Sequence, residues 1–343
     1  MTRRVLLLMG GRSSEHEVSL SSAESVMAAL DPSRHEVLPV LISRRGDWTL
    51  HGEPVGLVPG PDGRGVLVSL AGGATRPVDV VFPVLHGPFG EDGTVQGACE
   101  TAGVPCVGAG VAASAAAMDK ALFKAIARDA GLPVAEEAVV TAHEWRSDPQ
   151  GVIARVSERP GFPAFCKPAR LGSSVGISPV PDAAALPGAL DLALAHDAKA
   201  LVERWVRGRE IEVGVLGNDG ELRVSPVGEI TYEADWYDYE TKYLPGRMRL
   251  VVPAALPPGV AEHARDLAAR AFRAVGCAGM ARIDFFLEGD RLLVSELNTI
   301  PGFTPTSVYA SLFAADGLAY PDLVDRLIEL ALAAGSEGAR YRH

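Results

Sequence analysis

Residues 5–9 form a short apolar run that stops at Gly10 and Gly11, and the alternation it begins constrains the fold more than any other feature of the chain. A run this short, closed by glycine, reads as a buried strand, because helices need about ten residues or more. Residues 19–30 are helical in composition and stop at Asp31 and Pro32. Residues 36–42 and 78–85 read as strands, 94–102 as a helix closed by Gly103, and 104–107 as a further strand. Strand and helix alternating in this way predict an open, mainly parallel α/β sheet. Ligands of such sheets sit beyond the carboxyl ends of the strands. Two loops leave those ends, 10–18 and 86–94.

The small residues of 108–117 suggest a linker or soft hinge, followed by a helix over 119–130 that ends at Gly131. Four strand-like runs follow, 134–141, 162–167, 175–180 and 200–206, around one helix, 149–158. From Gly208 the pattern is strands 211–216 and 221–227, an irregular stretch over 231–245 and a helix over 260–275. A hairpin over 281–298, a Pro/Gly loop and a closing helix over 321–334 complete it. The expectation is an α/β (α+β) protein of three domains, 1–117, 118–207 and 208–343, which suits 343 residues.

The balance of charge narrows the partners. There are 43 acids against 32 bases, a net charge of −11, so nucleic acid is not an expected partner. A small anion is still within reach of a few local lysines, arginines and backbone N–H groups. Arg3 and Arg4 precede an apolar run too short for a secretion signal, and no run approaches the roughly 18 residues of a spanning helix. Cys99, Cys106, Cys166 and Cys277 form no C-x-x-C pair. They read as reduced thiols in a cytoplasmic protein without membrane association.

Four segments carry chemistry. Residues 10–15, GGRSSE, are a tight turn or a ligand contact, and the carboxylate of Glu15 suits an ammonium better than a phosphate. Lys167 ends a strand, and a Gly/Ser tip with Ser173 and Ser174 follows before the chain resumes at Val175. Fixed positive charge beside free N–H and hydroxyl groups is what a polyphosphate needs. Residues 236–246 mix aromatics and charges without periodicity and read as an active-site lid bearing Lys242 and Tyr243. His16 and His86 stand isolated, as structural or solvent-facing imidazoles usually do.

The hairpin is the sharpest of the four. Arg282 and Asp284 lie on one arm, Glu296 and Asn298 on the other, and residues two apart on a strand share a face. Asp, Glu and Asn are hard oxygen donors suited to Mg²⁺ carrying nucleotide phosphates. Asp284 and Glu296 face each other directly only if the hairpin is centred on Asp290. That requires a three- or five-residue loop, Gly289–Arg291 being the shortest, or else a bulge. A regular two-residue turn at Gly289 and Asp290, the common choice, would throw the two carboxylates to opposite faces. Lys120, Lys167, Lys242 and this acidic hairpin together predict ATP-dependent chemistry in a cleft between domains.

At these residues the chain resembles the D-alanine–D-alanine ligase family of the ATP-grasp superfamily. The resemblance runs in one order through GGRSSEHEVSL from Gly10, LHGPFGEDGTVQG from Leu85, MDK from Met118, the 167–176 loop and ERW from Glu203. It continues through Arg209–Glu210, Lys242–Tyr243, RID from Arg282 and ELNTIPG from Glu296. It implies the ATP-grasp fold, with an N-terminal open parallel α/β domain, a central β-rich domain and a C-terminal α+β domain whose lid is 231–245. ATP would be gripped between the last two. The activity implied is joining two D-alanines as ATP becomes ADP and phosphate, for cell-wall peptide synthesis, in a homodimer. The cofactors are ATP and two Mg²⁺ or Mn²⁺, with K⁺ left open.

The resemblance also assigns roles. Glu15 would take the ammonium of the first D-alanine, and Arg282 with the N–H of Gly302 its carboxylate. Ser307 and Lys242 would hold the second D-alanine, while Ser173 and Tyr243 would bond to Glu15. Lys120, Lys167 and Ser174 would grip phosphate, Glu203 and Glu210 the adenine side and the ribose. Asp284, Glu296 and Asn298 would be metal ligands, and His86 would sit near the first substrate. Leu171, where many members carry Glu, is expected to alter a surface contact, and Ile300 and Phe303 packing only. The nearest rival is a D-alanine–D-lactate ligase, against which Tyr243 after Lys242 speaks. A binding protein without turnover would be expected to lose Lys167, Arg282 or a metal ligand, and a biotin-carboxylase-like enzyme lacks the Glu15 and Ser307 positions.

Overall fold

The computed structural model describes residues 2–61, 63–232 and 248–338. Lys242, Tyr243 and nearly all of the expected lid lie outside the described residues. Thr231 and Tyr232 do not belong to an irregular stretch, since they end a strand.

The first sheet has seven strands in the order β6-β5-β4-β3-β2-β1-β7. β1 (Arg3–Gly10) pairs in parallel with β2 (His35–Ile42) and β7 (Val80–Pro83). The expectation of a mainly parallel sheet holds for these three strands alone. β3 (Trp48–Leu50), β4 (Glu53–Pro59), β5 (Gly65–Ser69) and β6 (Thr75–Pro77) run antiparallel. Their connections are tight turns, and a parallel crossover needs a dozen residues or more. The expected strand at 104–107 is reduced to a single bridge, Cys106 to Val81. α1 (His16–Ala29) and α2 (Thr94–Ala102) follow the two loops at the carboxyl ends of β1 and β7.

Residues 108–117 are not a hinge. They lie mostly in α3 (Val111–Met118), where Ala113, Ser114, Ala116 and Ala117 are buried. Small side chains let this helix approach its neighbours closely, and that is what the composition encodes. α4 (Lys120–Asp129) starts at once, capped by Asp119, whose side chain accepts the N–H groups of Ala121 and Leu122.

The second sheet is β10-β9-β11-β8, antiparallel throughout. It comprises β8 (Glu137–Thr141), β9 (Ala164–Pro168), β10 (Ser178–Val180) and β11 (Lys199–Arg204). Three helices accompany it, Ala142–Ser147, Pro149–Glu158 and Leu186–Leu194, where the sequence suggested the middle one alone.

The third sheet, of six strands, runs β15-β14-β12-β16-β17 with β13 beside β12. Its members are β12 (Arg209–Asn218), β13 (Glu221–Val224), β14 (Gly228–Tyr232), β15 (Met248–Val251), β16 (Gly279–Glu288) and β17 (Arg291–Asn298). Side chains alternate between its faces. Ile211, Val213, Val215, Ile283, Phe285 and Leu287 pack on the helix Val260–Ala274. That helix offers Val260, Ala264, Leu267, Ala268 and Ala271, the spacing of one buried stripe. Each large apolar side chain so buried stabilises by roughly 1.5–3 kcal/mol. The opposite face carries Glu210, Glu212, Arg282 and Asp284.

A helix within the expected Pro/Gly loop, Val308–Ala315, was not legible. The closing helix, Tyr320–Gly338, buries Leu323, Val324, Leu327 and Ile328 in a core shared by Val5, Leu7 and Phe82 of the first sheet and Met280 of the third. One core thus fixes the loops of the first sheet relative to the acidic hairpin. Among the described residues no helix is long and apolar enough to cross a membrane.

Candidate functional site

The hairpin β16–β17 realises the bulge and not the longer loop. Glu288 faces Arg291 and Phe285 faces Val294 across a two-residue turn at Gly289 and Asp290. The register then slips between Asp284 and Phe285, so Asp284 faces Glu296 and Arg282 faces Asn298. Ser295 is the extra residue. Leu292, Val294 and Leu297 all face the core, which strict alternation from 292 to 297 would forbid. The bulge turns Glu296 and Asn298 out to join Arg282 and Asp284 on one face.

On that face Arg282 grips Asp284 with two bonds of 2.7 Å, and Asn298 Nδ2 donates to Asp284 Oδ2 at 3.0 Å. Glu212, opposite Asp284 on β12, lies 3.1 Å from the Arg282 guanidinium. Lys120 Nζ is 3.3 Å from Glu296 and donates to the carbonyl of Leu171 at 2.8 Å. Lys120 therefore ties α4 to the hairpin and to the Gly/Ser tip. Leu171 is more than a surface contact, since it lines both cavities of the cleft.

Behind Lys120 lies a buried cation–anion–cation row. Glu203 Oε1 meets Lys124 Nζ at 3.0 Å and Oε2 meets Lys167 Nζ at 2.6 Å. Burial pushes the Glu203 carboxyl up, but the two lysines outweigh it and hold it down to about 2. Lys124 is wholly buried, and desolvation lowers its pKa. The Lys167 pKa is raised: burial works against the charge, and Glu203 more than compensates. Glu203 therefore reaches the cleft through Lys167 and is not itself among the lining residues of either cavity.

At the other end, Ser173 Oγ donates to Glu15 Oε1 at 2.5 Å. Ser173 and Ser174 hold φ of +53° and +57°, left-handed values that turn the tip toward the cleft. Glycine lets the backbone approach here: a Cβ on Gly87 would come within 2.9 Å of Glu15 Oε2. His86 is buried, and burial lowers its pKa. Ser307 caps the helix Val308–Ala315 in position, and its Oγ accepts from Thr304 N–H at 2.9 Å.

These groups surround two adjoining cavities. The larger, about 640 Å³, is lined by Glu15, Ser173, Arg282, Glu296, Asn298, Gly302 and Ser307, with His86 and Glu91. The smaller, about 130 Å³, is lined by Lys120, Lys167, Ser174, Glu210, Asp284 and Glu296. Every site residue named from the sequence and described here is thus at the cleft, Glu203 through its lysine. Sequence reasoning gave no role to Lys124, Glu91 and Glu212. Lys124 looked like any charge on an amphipathic helix, and Glu91 and Glu212 sit in strings whose burial is non-local.

The donor set suits a hard divalent cation. Asp284 and Glu296 are cross-strand partners on one face with Asn298 beside them. Among the described residues no group of three His, Cys, Asp or Glu could hold a metal. Two carboxylates and an amide oxygen would instead suit a cation that takes its remaining ligands from phosphate oxygens.

Residues 4–109 match the D-ala D-ala ligase N-terminus model and residues 126–329 the D-ala D-ala ligase C-terminus model. The chain is 49% identical to a D-alanine–D-alanine ligase of Deinococcus radiodurans, over 97% of this chain and 99% of that one. It is 48% identical to D-alanine–D-alanine ligase A of Mesorhizobium japonicum, over 96% and 97%. A solved D-alanine–D-alanine ligase from Coxiella burnetii superposes with TM-score 0.87 at 34% identity, covering 99% of this chain and 96% of that one. A D-Ala:D-Ser ligase from Enterococcus faecalis superposes with TM-score 0.86 at 31% identity, covering 96% and 100%. The chain belongs to the D-alanine–D-alanine ligase family, with the ATP-grasp fold.

Proposed function

We propose that this protein joins two D-alanines into D-alanyl-D-alanine, with ATP cleaved to ADP and phosphate, for peptidoglycan precursor synthesis. The observation that carries the reading is a single cavity lined by Glu15, held by Ser173, and by Arg282 and Gly302. Those are an ammonium acceptor and a carboxylate receptor around a volume suited to small amino acids.

The carboxylate oxygen of the first D-alanine attacks the γ-phosphorus of ATP, and ADP leaves. The product is an acyl phosphate, whose carbonyl carbon is now open to attack. The unprotonated amine of the second D-alanine adds there, and the tetrahedral intermediate collapses with loss of phosphate and of the amine proton. Arg282 and the Gly302 N–H stabilise the oxygen on which charge builds, and one such donor is typically worth about 3–4 kcal/mol. Lys120 and Lys167 hold the transferring phosphoryl group. The row Lys124–Glu203–Lys167 has two cations and one anion, so Lys167 keeps surplus positive charge for phosphate. By the family resemblance, Ser307 and Lys242 would hold the second carboxylate, Tyr243 would bond with Glu15 and Ser173, and Ser174 and Glu210 would contact phosphate and ribose. Asp284, Glu296 and Asn298 would hold Mg²⁺ or Mn²⁺, which supplies charge neutralisation on the phosphates. Dependence on ATP and four free thiols support a cytoplasmic location. A homodimer belongs to this reading through the family resemblance.

D-serine as second substrate has one observation in its favour, the superposition on a D-Ala:D-Ser ligase. The higher identity to D-alanine–D-alanine ligases favours D-alanine. Phosphate release from ATP, with the product identified, is measured with D-alanine alone and with added L-alanine, D-serine or D-lactate. Release with D-alanine and formation of the dipeptide are expected. No dipeptide, or a mixed product preferred over it, would overturn the reading.

A further inference from the structure

Glu91 lines the large cavity, yet no step above uses it. One of its oxygens accepts the N–H of Gly87 at 2.7 Å and the other the N–H of Ile300 at 3.0 Å. The carbonyl of the same Ile300 meets His86 Nδ1 at 3.0 Å. His86 is itself held, with Nε2 3.2 Å from Ser22 Oγ and its carbonyl accepting from Ser13 Oγ at 2.6 Å. Residues 86–91 therefore grip both polar backbone groups of Ile300, more than 200 positions along the chain. Ile300 sits between Asn298, the end of the acidic hairpin, and Gly302.

We propose that Glu91 is a positioning residue for the ligation, locking the 299–302 segment so that the Gly302 N–H stays aimed at the carboxylate of the first substrate. This rests on the role given to Gly302 above. With His86 it forms a two-sided clamp joining the loop after β7 to the loop after β17, hence the Glu15 side of the cavity to the Arg282 side. The two N–H groups reach separate oxygens, which a carboxylate offers as acceptors and an amide, with an NH2 in place of one oxygen, does not. Burial, then the nearby charge of Glu15, raise the Glu91 carboxyl to about 8 despite its two N–H bonds and Arg282.

The test compares Glu91→Gln and Glu91→Asp with wild type, as full-length protein, by kcat, KM for ATP and folded fraction. Gln keeps the volume but offers one acceptor, and Asp keeps both acceptors but withdraws them. An ångström of misplacement can cost about 100-fold in rate. The expectation is a fall in kcat of about 100-fold for Gln and about tenfold for Asp, per folded molecule, with KM for ATP within about twofold. A kcat within about twofold of wild type in a folded variant would overturn the clamp, as would a loss shared equally by kcat, ATP affinity and folding. If Gln does not fold, Asp decides by the same criteria. Absence of dipeptide synthesis in wild type would sink the proposed function instead, so the two failures are distinct.

Discussion

Lys124→Met is the sharpest probe of the buried row behind the phosphate lysines. Lys124 is wholly buried 3.0 Å from Glu203, whose side chain is 5% exposed. At an effective dielectric constant near 20, such a pair attracts by about 5–6 kcal/mol. Desolvation of the ammonium, visible in its lowered pKa, offsets part of this. Removing one partner of a buried pair costs about 3–5 kcal/mol. Lys167 remains 2.6 Å from Glu203, so the lower end, about 3 kcal/mol, is expected in chemical denaturation. The row would also lose its surplus positive charge, so KM for ATP should rise about tenfold, equivalent to about 1.4 kcal/mol. Glu203→Gln, alone and combined with Lys124→Met, closes a double-mutant cycle that isolates this pair from the bond Glu203 keeps with Lys167. A single-variant cost below about 1 kcal/mol, or a double-mutant cycle with coupling under about 0.5 kcal/mol, would refute the account.

Ser173→Ala removes the hydroxyl that holds Glu15, so KM for D-alanine should rise about tenfold while KM for ATP stays put, as steady-state kinetics would show. Glu203 titrates below its unfolded value, so its contribution is present above pH 4.5 and is lost as pH falls toward about 2. Denaturation midpoints of wild type and Glu203→Gln should therefore converge over that window, and a difference insensitive to pH would contradict the pairing. Deleting Ser295 removes the bulge but leaves Val294, Glu296, Leu297 and Asn298 in strict alternation with Glu296 still opposite Asp284, so kcat should fall by less than about tenfold. A folded deletion variant without turnover would show that the bulge itself, and not only the facing it sets, is needed.

Much of the site was legible because its residues recur at strand spacing or at loop tips. Arg282 with Asp284 and Glu296 with Asn298 follow from the two-residue period, and Lys167 with Ser173 from a strand that gives way to glycine and serine. The antiparallel strands of residues 48–77 were hidden because they are short and their turns carry no helix between them. The helix Val111–Met118 was hidden because a run of alanine and glycine has no polar face to announce a period. Lys124 was hidden for a different reason. Its burial comes from packing of α4 against β11, some 80 positions away, and nothing within α4 distinguishes it from a solvated lysine.

The bulge lies between these cases, and its position was in principle readable. A carboxylate pair on one face demanded an odd loop or a bulge, and the two-residue turn at Gly289 and Asp290 leaves the bulge. What remained was where the extra residue falls. Leu292 and Val294 set one phase of a two-residue period, and Leu297 belongs to the opposite phase. For all three to reach the same core, one residue between 294 and 297 must be skipped. Glu296 is required on the site face, so the skipped residue is Ser295, small enough to be tucked at the slip and nearly buried there at 9% exposure. The phase slip of the apolar residues and the pairing of the polar ones are independent constraints, and they select the same residue. The site face and the core face of this hairpin are therefore specified together, and a one-residue slip elsewhere in β17 would turn both sets of side chains at once.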